Sequence, residues 1–169
     1  MNSELVKKYI TMNHKENIEK SRQNLIPALF KTPLIQSDFF SKEYGCNVYL
    51  KPENLQRTGS FKIRGAYNKI ANLTDLEKSC GVICSSAGNH AQGVAYSANE
   101  KNIPSIIIMP NVTPLLKIEG TKALGAEVIA VASDHERLEC ATDRGALHTI
   151  NSSTEDVNAR LKELAPGGL

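Results

Sequence analysis

From residue 82 onward the sequence repeats one unit: a short apolar run, a turn, then a stretch with apolar residues at helical spacing. The runs are Val82-Ile83-Cys84, Ser105 to Met109, Glu127 to Ala132 and Leu147 to Ile150. Between them, residues 90–101, 113–124 and 134–144 read as helices, and 154–164 follows the last run. Pro114 sits in the first turn of the second helix and Gly125 just past its end, while Gly145 closes the third. Ser133 or Asp134 is expected to cap the third helix, and Ser153 or Thr154 the fourth, with Asp156 in its first turn. Continuous apolar runs are strands buried on both faces, and strand–helix alternation supplies the crossovers that parallel pairing needs. The chain is therefore expected to be α/β, a twisted parallel sheet with helices on both faces.

The N-terminal part reads differently. Residues 4–29 are loosely helical, with Pro27 and Pro33 bracketing the end. Thr32 to Ile35 looks extended, Ser37 to Tyr44 a short helix stopped by Gly45, and Cys46 to Leu50 a strand closed by Pro52. Polar residues 56–60 should form a loop, and Phe61 to Leu73 a helix with Ser60 as its N-cap. This divides the chain into an N-terminal helical and extended segment, 1–54, and an open-sheet domain, 55–169. Apolar residues of 18–50 lack a partner of their own in such a chain, which predicts self-association or local disorder there.

Composition narrows the function classes. The 169 residues are 41% hydrophobic and 22% charged, a globular balance. A net charge of +2 gives no electrostatic footprint for nucleic acid or an anionic membrane, and with no Trp a base-stacking platform is not expected. No apolar run is long enough to span a bilayer. The N-terminus, with Glu4 early and no apolar stretch, carries no visible secretory signal. Cys46, Cys80, Cys84 and Cys140 form no C-x-x-C pair, and with His14, His90, His135 and His148 they show no metal-ligand spacing. Reduced thiols in a cytoplasmic protein are the expectation.

Two segments could carry chemistry. Ligands of open α/β sheets sit beyond the carboxyl ends of strands. After the first strand comes Ser85-Ser86-Ala87-Gly88-Asn89-His90, small residues ahead of a helix whose free N–H groups favour an anion such as a carboxylate. The same residues also read as an ordinary strand–helix turn capped by Asn89. In Thr58-Gly59-Ser60-Phe61-Lys62-Ile63-Arg64-Gly65, Lys62 falls in the first turn of a helix, where the dipole should lower its pKa and favour attack on an aldehyde. The position is equally that of a surface lysine.

Taken together and in order, these segments resemble the threonine and serine dehydratases, pyridoxal-phosphate enzymes of the tryptophan-synthase-β fold type. The resemblance rests on Lys51-Pro52-Glu53-Asn54-Leu55-Gln56 running into Thr58 to Gly65, then Ser85 to Gly93, with Lys31-Thr32-Pro33-Leu34 as an earlier motif. It covers roughly residues 18–124. It implies that Lys62 holds the cofactor covalently, that Phe61 packs on the pyridine ring, and that Asn89 hydrogen-bonds the ring's phenolic oxygen. Ser86, Ala87, Gly88, Asn89 and His90 would bind the carboxylate of a threonine or serine substrate. It implies elimination to a 2-oxo acid and ammonia, in which Lys62 takes the Cα proton. Members that racemise serine look to have a hydroxyl residue at the position of Ala87, so alanine there favours dehydration. A homo-oligomer is also implied.

The family's glycine-rich phosphate loop and the polar partner of its pyridine nitrogen come later than this sequence reaches; Pro166-Gly167-Gly168-Leu169 reads better as a helix terminator. A fragment or hybrid of the family is therefore expected. Residues 120–169, including Gly125-Ala126-Glu127-Val128, also resemble the nucleotide-binding half of medium-chain alcohol dehydrogenases and quinone reductases, where Ser133 or Asp134 would meet a ribose. Gly120 and Gly125 do not make the G-x-G-x-x-G spacing which that binding needs. An NAD(P)-binding oxidoreductase domain and a non-catalytic α/β scaffold are the two rival readings.

Overall fold

The computed structural model describes residues 14–143 and 145–165. Helix α1 is His14–Leu25, so the earlier part of the expected N-terminal helix and the Pro166–Leu169 terminator lie outside the described residues. The elements that follow are β1 (Ile35–Gln36), α2 (Asp38–Tyr44), β2 (Tyr49–Leu50), a 3-10 turn (Glu53–Leu55), α3 (Lys62–Ala71) and α4 (Asp75–Cys80). The remainder alternates as β3 (Val82–Ser85), α5 (Asn89–Asn99), β4 (Ser105–Pro110), α6 (Leu115–Ala123), β5 (Glu127–Ala132), α7 (His135–Asp143), β6 (His148–Asn151) and α8 (Val157–Leu164).

The four later strands form one parallel sheet in the order β3-β4-β5-β6, with Cys84 beside Ile107, Ile107 beside Val128, and Val131 beside Ile150. Sequence order equals spatial order, as expected when every crossover is one helix long. One sheet face carries Val82, Cys84, Ile107, Met109 and Val128, packed against Ala66 and Ile70 of α3, Ala91, Val94, Ala95 and Ala98 of α5, and Ile118 of α6. On that same face Ala130 meets Ala141 of α7. The opposite face carries Ile83, Ile106, Ile108, Ile129, Val131 and Ile150 under Val157, Leu161 and Leu164 of α8. Helices thus lie on both faces, but unequally among the described residues. The imbalance shows in β4, where Ser105, Ile107 and Met109 are buried while Ile106 and Ile108 on the lightly covered side are half-buried.

Several local signals act as the sequence implied. Ser37 caps α2 by accepting from the Phe40 N–H, and Gly45 ends it in the left-handed region. Others differ. The strand expected over residues 46–50 is only Tyr49–Leu50, paired antiparallel with Ile35–Gln36. Helix α8 starts at Val157, later than expected, because Asp156 is not inside the first turn: its carboxylate accepts from the N–H groups of Asn158 and Ala159 and caps the helix. Helix α4 was not expected, although Thr74 and Glu77 form a reciprocal capping box, the signature T-x-x-E. No helix among the described residues is long and apolar enough to cross a membrane.

The N-terminal segment is fastened to α3 by the Glu53 carboxylate and by a hydrogen bond from Asn24 Nδ2 to Asn68 Oδ1 at 3.2 Å. Glu53 accepts two hydrogen bonds from the Arg64 guanidinium, at 2.7 and 2.9 Å, and one from the Thr32 hydroxyl at 2.8 Å. Around it, Lys51 Nζ donates to the Thr32 carbonyl, Gln56 bonds both ways with the backbone of Phe30, and Arg57 donates to the Ala28 carbonyl. These bonds cross position 54/55 several times. The segment also exposes much apolar surface, with Leu34, Ile35, Phe39, Tyr44, Tyr49 and Leu50 all open to solvent.

The fork from Arg64, followed by the Thr32 and Gln56 hydrogen bonds, outweighs desolvation and holds the Glu53 carboxyl down from 4.5 to about 2. A depressed carboxyl stabilises the fold above its unfolded pKa and loses that contribution as pH falls through the folded value. Glu53→Gln is therefore expected to lower stability at pH 7 by about 1–3 kcal/mol. The difference from the parent should shrink between pH 4.5 and about 2. Urea unfolding at stepped pH reads both, and a pH-independent difference would remove the assigned role.

Candidate active site at the Lys62 turn and the Ser86–His90 loop

Two chain turns are brought together by a glycine. Gly93, on the second turn of α5, lies so close to the start of α3 that a Cβ there would sit 3.3 Å from the Ile63 nitrogen and from the Lys62 carbonyl carbon, and 3.4 Å from Ala66 Cβ. Ile63 and Ala66 are buried in this seam, as are Ala91, Val94 and Ala95 from the other side. Small residues at the crossing let the two backbones approach. The helix that begins at Asn89 is thereby fixed against the turn that begins at Lys62.

The Lys62 turn is built from a buried loop and an exposed tip. Ser60 is buried, and its hydroxyl accepts from the Lys62 N–H at 3.3 Å, close to the capping role expected of it. Phe61, in helical conformation, takes the N-cap position itself without a side-chain hydrogen bond. Thr58 is buried, and its hydroxyl has no hydrogen-bond partner among the described residues. Lys62 is exposed, with its ammonium 5.1 Å from the centroid of the equally exposed Phe61 ring, a loose cation–π contact.

The second turn leaves the sheet at its carboxyl edge. The Ser86 N–H still donates to the Ile108 carbonyl of the neighbouring strand, which holds the loop's start in register. Ser86 Oγ accepts from the Gly88 N–H at 3.4 Å, and Gly88 is the N-cap of α5 in extended conformation. The N–H groups of Asn89, His90 and Ala91 fall in the first turn, where the helix offers them no carbonyl of its own. Ala87, a methyl side chain between them, brings no proton-carrying group. Asn89 and His90 are exposed and diverge. Asn89 Oδ1 accepts from Lys117 Nζ of α6 at 3.2 Å. His90, with Ser85, lines a groove shared with Gly65, Lys69 and Leu73, which Lys62 does not line.

Lys117 is the residue that sequence reading missed. It is 28 positions from Asn89, so no local pattern pairs the two. The glycines of the oxidoreductase reading do other work. Gly120 lies inside α6, where a Cβ would sit 3.0 Å from Gln92 Nε2 of the neighbouring α5. Gly125, at φ +91°, ends α6 over the Asn99 side chain. Neither lies in a strand-to-helix turn, so they provide no backbone approach to a pyrophosphate. Asp134 Oδ1 accepts from the Arg137 N–H, and Ser133 O from Ser153 Oγ, both local roles. Among the described residues no cluster of three or more His, Cys, Asp or Glu could hold a metal ion.

Comparison with known proteins gives this geometry a setting. The family described as "Pyridoxal-phosphate dependent enzyme" matches residues 25–165, and so takes in residues 120–165 of the stretch read above as oxidoreductase-like, a likeness that no comparison supports. The L-threonine ammonia-lyase of Thermotoga maritima is 52% identical over 114 residues, 68% of this chain and 28% of that protein. Among solved structures, serine racemase from Dictyostelium discoideum superposes with TM-score 0.67 at 30% identity, over 80% of this chain and 45% of that one. The processed form of threonine deaminase isoform 2 from Solanum lycopersicum gives TM-score 0.61 at 35% identity, over 83% of this chain and 43% of that one. The match thus spans about a third or less of the curated relatives' own length, 28% to 33%.

The seam can be tested without any ligand. Gly93→Val is expected to push α5 off the Lys62 turn and cost roughly 1–3 kcal/mol, as overpacking does. The urea midpoint should fall accordingly, and the Lys62 and Ile63 amides should exchange faster with deuterium. A midpoint at or above the parent's would show that the crossing has room to spare.

Proposed function

The chain belongs to the pyridoxal-phosphate dependent enzyme family, and we propose that it carries the cofactor-anchoring and carboxylate-binding part of a threonine/serine ammonia-lyase site. The observation that supports this most is the Gly93 seam, which fixes the backbone of Lys62, whose side chain is exposed, against the helix that begins at the small-residue loop. The donor set suits one side of the cofactor: Lys62 Nζ for its aldehyde carbon, the Phe61 ring for its π-face and the Asn89 amide for its phenolic oxygen. When bound, pyridoxal phosphate supplies an electron sink for the bonds at the substrate's Cα.

The chain's own residues divide the remaining work. The N–H groups at the start of α5, with the Ser86 hydroxyl beside them, hold the substrate carboxylate and so orient Cα. With the cofactor in place, Lys62 Nζ as a free amine would take the Cα proton and pass it to the departing β-hydroxyl, which leaves as water. Ala87 matters by what it lacks. A hydroxyl there could return a proton to the opposite face of Cα; a methyl group cannot, so elimination to a 2-oxo acid and ammonia is favoured over racemisation. This distinguishes the chain's chemistry from that named for its serine racemase neighbour.

The same reading takes in a cytoplasmic location, for which four free thiols suit a reducing compartment. It takes in self-association through the exposed apolar side chains of residues 34–50. Division of the chain at 54/55 into an N-terminal segment and a sheet domain is part of it as well. Sedimentation equilibrium of the purified chain should give a mass above that of one copy; a monomer at all concentrations would exclude the association.

The cofactor assignment is tested by covalent trapping. Incubation with pyridoxal phosphate, borohydride reduction and peptide mass spectrometry should place the adduct on Lys62, and Lys62→Ala should lose it while keeping the parent's circular dichroism. Equal labelling of many surface lysines, unchanged in that variant, would overturn the reading.

A further inference from the structure

Helices α5 and α6 both follow parallel strands, and they meet along one seam with a fixed register. Gly120 faces Gln92, and one turn earlier on each helix Lys117 faces Asn89. The register is set from below. Ile118 and Thr121 of α6 are buried, and the Thr121 hydroxyl accounts for the Lys117 carbonyl at 2.8 Å. A Cβ at 120 would lie 3.0 Å from Gln92 Nε2, the movable end of a side chain, which marks how near the two helices run where Lys117 reaches Asn89.

The chemistry of the pair is one-sided. An asparagine amide has an acceptor end and a donor end of nearly the same shape. An ammonium has three donors and no acceptor, so it can only face the oxygen. With Lys117 Nζ at 3.2 Å from Asn89 Oδ1, the Nδ2 end is turned away from α6 and left free to donate. We infer that Lys117 is a positioning residue: it fixes the Asn89 amide so that its NH2, not its oxygen, is presented to the cofactor's phenolic oxygen. The inference rests on the cofactor reading above, which requires a donor at that place. An amide free to flip would present a lone pair to an anionic oxygen for part of the time, and repulsion would replace attraction.

Asn89 is exposed and Lys117 only half-buried, so removing the ammonium is expected to leave the fold intact and the effect can be read at the amide. In the ligand-free, 15N-labelled chain, the Asn89 side-chain NH2 resonances, identified by their loss in Asn89→Asp, should shift in Lys117→Met and return in Lys117→Arg. Resonances unmoved in Lys117→Met would overturn the inference whatever the cofactor does. With pyridoxal phosphate added, Lys117→Met should weaken retention of the cofactor roughly three- to ten-fold, the size of one lost hydrogen bond. Its absorption should move from the long-wavelength form, with the phenolic oxygen ionised, toward the short-wavelength neutral form. Asn89→Ala should do the same, and Lys117→Arg should restore the parent spectrum. A Lys117→Met spectrum and affinity equal to the parent's, with Asn89→Ala altered, would overturn the positioning role while the cofactor reading stands. Failure of the parent chain itself to form the Lys62 adduct would instead overturn the cofactor reading, and with it the purpose assigned to the amide.

Discussion

Everything at the candidate site depends on how closely two helices can approach. Residue 93 has no side chain, and the first turn of α3 occupies the space one would need, within 3.3 Å. The contact is backbone against backbone, so it transmits position with little slack. It ties Lys62, at the start of one helix, to Asn89, one turn upstream of Gly93 on the other. A methionine or leucine at the crossing would hold the helices apart and still bury apolar area, but the amine and the loop would then no longer share one rigid frame.

The sheet explains why the frame is there. Its better-covered face carries α3, α5, α6 and α7 over a floor of Ile107, Met109 and Val128. Helix α5 presents alanine at 91, 95 and 98 to that floor, so it lies low and both neighbouring helices can close on it. Gly93 serves the α3 side, where backbone atoms fill the space a Cβ would need; on the α6 side Gly120 faces only the end of the Gln92 side chain. Helix α5, which starts at the loop after β3, thus packs on one side against the backbone of the Lys62 turn and on the other carries the Asn89–Lys117 hydrogen bond. On the opposite face, α8 leaves Ile83, Ile106 and Ile108 only half-covered. The same sheet therefore has a finished side, where the site lies, and a lightly dressed one.

Much of this was legible one residue at a time. Strand runs such as Glu127 to Ala132 and caps such as Ser37 speak through local physics, because apolar periodicity and hydrogen bonding to the next turn need only nearby residues. Thr74 with Glu77 is equally local, a capping box that starts α4. Asp156 caps the helix whose first turn it was expected to occupy, because Ser153, Thr154 and Asp156 are all polar residues able to cap it. The expected strand over 46–50 shrank to two residues because its partner, Ile35–Gln36, is itself only two residues long. A strand's length is settled by what it pairs with.

The amino-acid sequence by itself determined the alternation of elements, the parallel sheet and the order in which Lys62 and the Ser86–His90 loop appear, because those follow from periodicity, caps and crossover length. Tertiary structure alone decided that Glu53 meets Arg64, that Gly93 meets the Lys62 turn and that Lys117 meets Asn89. These pairs lie far apart along the chain, and only packing sets which faces touch and how closely. Elements are chosen by neighbours in sequence, sites by neighbours in space.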